Sequence, residues 1–152
     1  MNESYDKNDS TPERVNKVLP KVEYSQSSGL LKRLLQLDCS IAITSYQSGF
    51  LYHLGCDPKG GLHLHQAAMK KPMGIFYDFK GGLTLASRSE IVEFKNVLAP
   101  NEKINDIFDA CFMPRRVHVT GELDAHDIGI GSNGAPIFVN TKFNCLATVS
   151  DI

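Results

Sequence analysis

The feature that most constrains the fold is a unit of short strands and polar turns at residues 123–150. Ile128 and Ile130 alternate with glycine, and residues 132–134 read Ser-Asn-Gly before a more apolar strand at residues 136–139. A third strand is predicted at residues 144–149. Asn and Gly accept the positive φ angles of tight turns, whereas β-branched and aromatic residues fit a packed, pleated surface. The unit therefore predicts an up-and-down antiparallel meander.

Two further copies of this unit precede it in the chain. The second copy has predicted strands at residues 72–75, 82–86 and 90–94, and the first lacks its opening strand and has strands at residues 40–44, 50–54 and 62–66. Repeats of roughly 40 to 50 residues with about four strands each are typical of β-propeller blades. The sequence predicts an all-β fold, a partial β-propeller of about two to three four-stranded blades.

The segments outside the repeats have their own predictions. Residues 1–25 are rich in polar and charged side chains, which predicts a disordered tail ahead of one domain at residues 26–152. Ser27 or Ser28 is expected to cap a short helix rich in leucine. An insertion at residues 96–120 is expected to form a helical turn near residues 102–108 and two strands separated by Pro114.

Composition limits the classes of partner. Sixteen Lys and Arg residues against seventeen Asp and Glu residues give a net charge of −1, so no global attraction to nucleic acid is expected. No apolar run approaches the ~18 residues of a membrane span, and the N-terminus has no hydrophobic signal core. The expectation is a cytoplasmic protein without a membrane partner. Four cysteines without a C-x-x-C pair predict free, buried thiols.

A candidate catalytic and metal site lies at the ends of two strands in the third repeat. In a propeller, the start of an inner strand and the end of the next strand share one face, which would bring residues 124–127 close to Asn140. Carboxylate and amide oxygens suit calcium, and a histidine suits proton transfer. The predicted metal ligands are Asp124, Asp127 and Asn140, and His126 is the predicted catalytic base. The alternative is that these side chains form hydrogen bonds between blades.

A second candidate site comes from equivalent turns of the three repeats. These turns contain Tyr46 and Gln47, then Arg88, then Thr141 and the adjacent Lys142. Because the turns are equivalent, they are expected to lie on one face. A hydroxyl, an amide and cations around one opening would bind a sugar or an anionic metabolite. The alternative is that these polar residues serve only to form the turns.

Five segments carry a resemblance to a bacterial family of conserved hypothetical proteins with a propeller-like domain of unknown function: SYQ at 45–47, KPMG at 71–74, MPR at 113–115, TGELDAHD at 120–127 and FVNTKFNCLAT at 138–148. The resemblance covers about residues 30–152. It implies that the chain corresponds to the N-terminal part of a longer propeller, and it implies no activity.

Two more distant resemblances concern other propellers. Residues 72–75, 82–86 and 91–94 look like the repeat of NHL-type propellers. His126 before one strand and Asn140 at the end of the next look like calcium-dependent lactonase and arylesterase propellers, which implies a calcium-bound hydrolytic site. Most ligands of such a site would come from blades that this chain does not contain.

The sequence leaves two main hypotheses about function. The first is a binding or scaffold domain with a polar site at the propeller channel. The second is the remnant of a calcium-dependent lactonase-like or esterase-like hydrolase, and a truncated product is a third reading. Uncovered blade edges also predict self-association, because an edge strand exposes unpaired backbone groups.

Overall fold

The computed structural model describes residues 23–57 and 59–150. The predicted tail at residues 1–25 lies outside this part except for its last three residues, which are exposed and without regular structure. The described residues are mostly β-strand with one short α-helix and one 3₁₀ turn. The elements are α1 (Leu30–Leu37), β1 (Ile41–Ser45), β2 (Phe50–Cys56), β3 (Leu62–Ala68), β4 (Ile75–Tyr77), β5 (Gly82–Ala86), β6 (Glu90–Asn96), β7 (Phe112–Val119), β8 (Ala125–Ile130), β9 (Pro136–Asn140), the 3₁₀ turn η1 (Thr141–Phe143) and β10 (Cys145–Thr148).

The strands form three antiparallel sheets that follow one another along the chain. The first sheet contains β1, β2 and β3, the second contains β4 to β7, and the third contains β8, β9 and β10. In each sheet, neighbours in sequence are neighbours in space, so the predicted meanders are confirmed. None of these sheets closes on itself within the described residues, and their arrangement as propeller blades stays a prediction.

The predicted turn of the third repeat is confirmed in detail. The amide of Gly131 donates to the carbonyl of Ala135, and the side chain of Asn133 accepts from the Ala135 amide. Gly134 has a φ of +80°, a conformation that glycine adopts without steric cost. The turn joins β8 to β9, whose register is Ile128 opposite Phe138.

Two predictions for the insertion are wrong. Residues 112–119 form the single strand β7, with Pro114 opposite Phe94 and a register shift between Glu93 and Phe94. β7 is an edge strand, where a residue without an N–H group is tolerated, especially beside an irregularity. The expected helical turn near residues 102–108 is instead a tight turn, closed by an isolated bridge between Ile104 and Phe108.

The predicted helix is present as α1, but its expected serine cap is not. The N-cap is Gly29, which provides no side-chain hydrogen bond, and the amide of Leu30 donates to the carbonyl of Ser27 rather than to a hydroxyl. Leu34 is buried, whereas more than half of the Leu35 and Leu37 surface is exposed. The helix therefore contacts the sheets mainly through Leu34.

Apolar side chains pack the second sheet between the other two. One cluster, centred on Leu51, Leu83 and Leu85, joins the first sheet to the second. The other joins the second sheet to the third and contains Ala86, Ile91, Ala125, Ile128 and Phe138. The second sheet therefore contacts both of the others.

The four cysteines are free, as predicted, but the expectation that they are buried is wrong, because Cys39 and Cys145 are exposed and Cys56 and Cys111 are only partly buried.

Gly74 lies where the segment before β4 comes close to the backbone of β8. A β-carbon at this position would lie 2.7 Å from the Cα of Asp127 in β8. Only glycine therefore fits between the segment before β4 and the backbone of β8.

The described residues contain no helix that is long and apolar enough to cross a membrane.

Candidate functional site

Turns from all three sheets meet at one polar cavity of about 300 Å³, here named the turn pocket. The β1–β2, β5–β6 and β9–β10 turns each contribute side chains, and so do the two segments that link one sheet to the next. The lining residues are Tyr46, Lys71, Arg88, Glu122, Asp124, Thr141 and Lys142.

Each of the three turns is held by local hydrogen bonds. In the β1–β2 turn, the amide of Gly49 donates to the carbonyl of Ser45 at 2.9 Å. In the β5–β6 turn, both the amide and the hydroxyl of buried Ser87 donate to the carbonyl of Glu90. In the β9–β10 turn, the side-chain oxygen of Asn140 accepts from the amide of Phe143. The protein's own hydrogen bonds therefore hold each turn in place without a ligand.

Further hydrogen bonds tie these turns to the links between sheets. The amide of Arg88 donates to the carbonyl of Lys70, 3.0 Å away in the link that precedes β4. In the same way, the hydroxyl of Thr141 donates to the carbonyl of Asp124 in the link that precedes β8. These hydrogen bonds therefore connect the turns of the pocket to the segments that join one sheet to the next.

Glu122 and Arg88 form the closest ion pair in the turn pocket. Arg88 Nη2 lies 2.7 Å from Glu122 Oε1, and both side chains remain about half exposed. The hydrogen bond and the charge of Arg88 lower the pKa of Glu122, and Lys142 and Lys71 add smaller effects in the same direction. Glu122 therefore lies in the positive field of three cations.

Lys71 makes a different kind of contact. Its ammonium group donates to the hydroxyl of Tyr46 at 2.8 Å and lies 4.7 Å from the centre of that ring. Within the described part of the chain, the ammonium group of Lys142 has no ion-pair partner closer than 4 Å. The pocket lining holds three cations against the two carboxylates of Glu122 and Asp124.

Three of the four predicted ligand-binding residues line this pocket. Tyr46, Arg88 and Thr141 meet there, as the equivalence of their turns predicts. Gln47 is exposed and is not part of the lining. That these residues bind a ligand stays a prediction. Sequence reasoning missed Lys71 and Glu122 as site residues, although each lies in a link that leads into a repeat.

The predicted metal and catalytic residues are only partly brought together. Asp124 Oδ2 lies 3.6 Å from His126 Nε2, with both side chains about half exposed. Asp127 accepts a hydrogen bond from the Ile128 amide, and Asn140 is buried and engaged with Phe143. In residues 23–57 and 59–150, no three His, Cys, Asp or Glu side chains are grouped to hold a metal. The calcium and catalytic roles stay predictions.

A second, larger cavity of about 620 Å³ lies between the first and second sheets beside α1. The imidazole of His53 stacks on Phe112 with ring centres 5.7 Å apart. Its Nε2 atom is buried and has no hydrogen-bond partner among the described residues. Burial, and then the charge of His65, lowers the pKa of His53, so the ring is neutral near pH 7.

Comparison with known proteins gives a family but no activity. No curated protein and no solved structure matches the chain. The model of one family, described as a domain of unknown function (DUF4915), matches residues 28–152. This match includes every strand of the three sheets and every residue of the turn pocket. The chain therefore belongs to the DUF4915 family.

Proposed function

We propose that this chain is a binding domain that holds a small anionic ligand in the turn pocket. The observation that carries the proposal is the convergence of Lys71, Arg88 and Lys142 from three separate segments on one cavity. Among the described residues, Arg88 is the only one of these three cations with a carboxylate within 4 Å, so the lining keeps an excess of positive charge. A concave site lined by excess positive charge attracts and concentrates anions.

The size and rigidity of the pocket agree with a metabolite-sized ligand. Its volume of about 300 Å³ is at the lower end of the range for small-molecule sites. Its turns are fixed by the hydrogen bonds of Gly49, Ser87 and Asn140, so little ordering is left for the moment of binding.

The proposal includes the propeller architecture. Three consecutive meanders, with the second packed between the other two, support an incomplete propeller whose blades follow chain order. In that architecture the turn pocket lies at one end of the strands, where turns from successive blades meet.

Arg88→Gln tests the anion site, with Arg115→Gln as the matched control because Arg115 is exposed on the edge strand β7 and lies outside the pocket. Calorimetric titration with inorganic phosphate and with D-gluconate should show binding that weakens as NaCl is added, because salt screens exposed charges. Loss of a charge-assisted hydrogen bond should weaken binding about tenfold in Arg88→Gln. Arg115→Gln should bind as the wild type does.

Two results would contradict the proposal. One is the absence of binding for both anions at millimolar concentration. The other is an equal loss of affinity in Arg88→Gln and Arg115→Gln, which would assign the effect to overall charge rather than to the pocket.

The calcium-dependent hydrolase remains the second candidate function. The observation in its favour is the 3.6 Å separation of Asp124 and His126, a carboxylate beside an exposed imidazole at the edge of the turn pocket. Calcium binding by calorimetry, together with turnover of a lactone or aryl ester that is lost in His126→Ala, would favour this candidate over the binding domain.

A further inference from the structure

The turn pocket already contains one carboxylate in contact with a cation of its lining. Glu122 accepts from Arg88 at 2.7 Å, and the charges of Lys142 and Lys71 also favour its ionised form. The contact shows that a carboxylate fits against Arg88 in this pocket. A planar carboxylate matches the fork of the guanidinium group.

We propose that the ligand is a polyhydroxylated monocarboxylate, of the sugar-acid class, whose carboxylate replaces Glu122 against Arg88. This inference rests on the proposed anion-binding function and names the ligand class of the same site. Glu122 is then a built-in competitor, which holds Arg88 until a ligand carboxylate displaces it.

The remaining groups of the pocket fit hydroxyls better than additional negative charge. Asp124 provides a carboxylate that accepts from hydroxyl groups and repels a second anionic group. The hydroxyls of Tyr46 and Thr141 also line the cavity and have lone pairs that accept hydrogen bonds. With three cations and two carboxylates, the lining has an excess of one positive charge, which a monoanion balances.

Displacement of Glu122 is easy for two structural reasons. Its side chain is 59 % exposed and that of Arg88 is 46 % exposed, and ion pairs this exposed are weak because water competes for both charges. Glu122 also follows Gly121, whose φ is +71° and which has no neighbouring atoms within 4 Å of a β-carbon position. The backbone beside Glu122 therefore has open space next to Gly121.

The test is calorimetric titration of the wild type and of Glu122→Gln with D-gluconate, D-glucose and inorganic phosphate. Glu23→Gln is the matched control, because Glu23 is exposed and lies outside the pocket. Glu122→Gln should bind D-gluconate about two- to fivefold more tightly, the range expected when a weak exposed ion pair no longer competes. D-glucose should bind to neither protein, and phosphate should bind more weakly than D-gluconate. Thermal melting of each variant checks that the fold is retained.

The outcomes separate the two proposals. Phosphate binding that depends on Arg88, without tighter binding of D-gluconate than of phosphate, would overturn the ligand class and leave the anion site standing. Unchanged or weaker D-gluconate binding in folded Glu122→Gln would overturn the competitor role. Equal binding of D-glucose and D-gluconate would overturn the carboxylate requirement. If neither anion binds in a manner that depends on Arg88, the proposed function itself is wrong.

Discussion

Single side chains decide what the turn pocket can bind, because equivalent turns in the three sheets present different residues. The first sheet contributes Tyr46, the second contributes Arg88, and the third contributes Thr141 with Lys142. The turns themselves use glycine, serine and asparagine for their hydrogen bonds. The three turns are therefore closed by different hydrogen bonds, and each contributes a different side chain to the pocket.

At this scale the sequence predicts part of the site. Tyr46, Arg88 and Thr141 could be found because they occupy the same place in each repeat, and the repeat is visible in the strand pattern. Lys71 and Glu122 lie in links that have no periodic pattern, so their positions depend on how neighbouring sheets pack. The ion pair of Glu122 with Arg88 joins two segments more than thirty residues apart. It therefore cannot be inferred from local sequence patterns.

His53 gives a residue-level prediction about pH. Because burial lowers its pKa, the unfolded chain binds more protons than the folded chain once the pH falls below the ordinary value of 6.5. The free energy of unfolding should therefore decrease as the pH falls from 6.5 toward the lowered pKa. This loss should be smaller in His53→Phe, which keeps the ring stacked on Phe112 and removes the buried nitrogen that lacks a partner.

The measurement is urea denaturation of wild type and His53→Phe at several pH values between about 8 and 5. At the highest pH of this range, both proteins have a neutral ring at position 53. Their stabilities should then be similar, or the variant should be more stable. Parallel pH profiles for the two proteins would show that His53 does not carry the effect.

Elements follow local sequence rules wherever a strand is bounded by turn residues. The strands of all three repeats lie where alternation and turn chemistry place them, within a few residues. The errors fall in the insertion, where Pro114 suggests a break but the edge position of β7 removes the cost of its missing N–H group. Likewise, the segment at residues 102–108 mixes polar residues with Ile104, Ile107 and Phe108, and this pattern does not distinguish a helical turn from the bridge between Ile104 and Phe108.

Gly74 tests how the second and third sheets pack. Gly74→Ala would place a methyl group 2.7 Å from the backbone of Asp127, and because backbone cannot move aside cheaply, we expect a destabilisation of about 1–3 kcal/mol or more. Gly129→Ala is the matched control in β8, since a β-carbon there meets no atom within 4 Å. Its stability should change by less than about 0.5 kcal/mol or improve slightly.

Denaturant unfolding of both glycine variants gives this comparison directly. A similar stability for Gly74→Ala and Gly129→Ala would mean that the two sheets do not approach as closely as described. Since the link before β4 also contains Lys71, folded Gly74→Ala protein should bind anions more weakly than the wild type if the sheets have shifted.

The packing of the whole molecule concentrates positive charge at the turn pocket, although the net charge of the chain is negative. The chain has a net charge of −1, yet the turn pocket has more cations than carboxylates because three sheets bring distant segments together. The net charge of the chain therefore indicates only whether large charged partners are attracted. It does not predict whether a small anion binds in one pocket. The sequence predicts the sheets and the turn residues of the pocket, whereas the contribution of Lys71 and Glu122 depends on how the sheets pack.

The edge strand β10 is relevant to the predicted self-association. β10 ends the third sheet, and 73 % of the surface of its Leu146 is exposed. An edge strand with a large exposed apolar side chain favours pairing with another chain. Self-association through this edge stays a prediction.

If turns from three sheets form one anion site, a single ligand should perturb all three turns at once. Two-dimensional ¹⁵N–¹H NMR titration with D-gluconate, and separately with phosphate, measures this. The amide signals of Tyr46, Arg88 and Lys142 should shift together with a single Kd. Signals of Lys80 and Gly134, in turns at the opposite ends of the strands, should not move. Shifts confined to one turn, different Kd values for the three turns, or equal shifts at the opposite ends would contradict the claim.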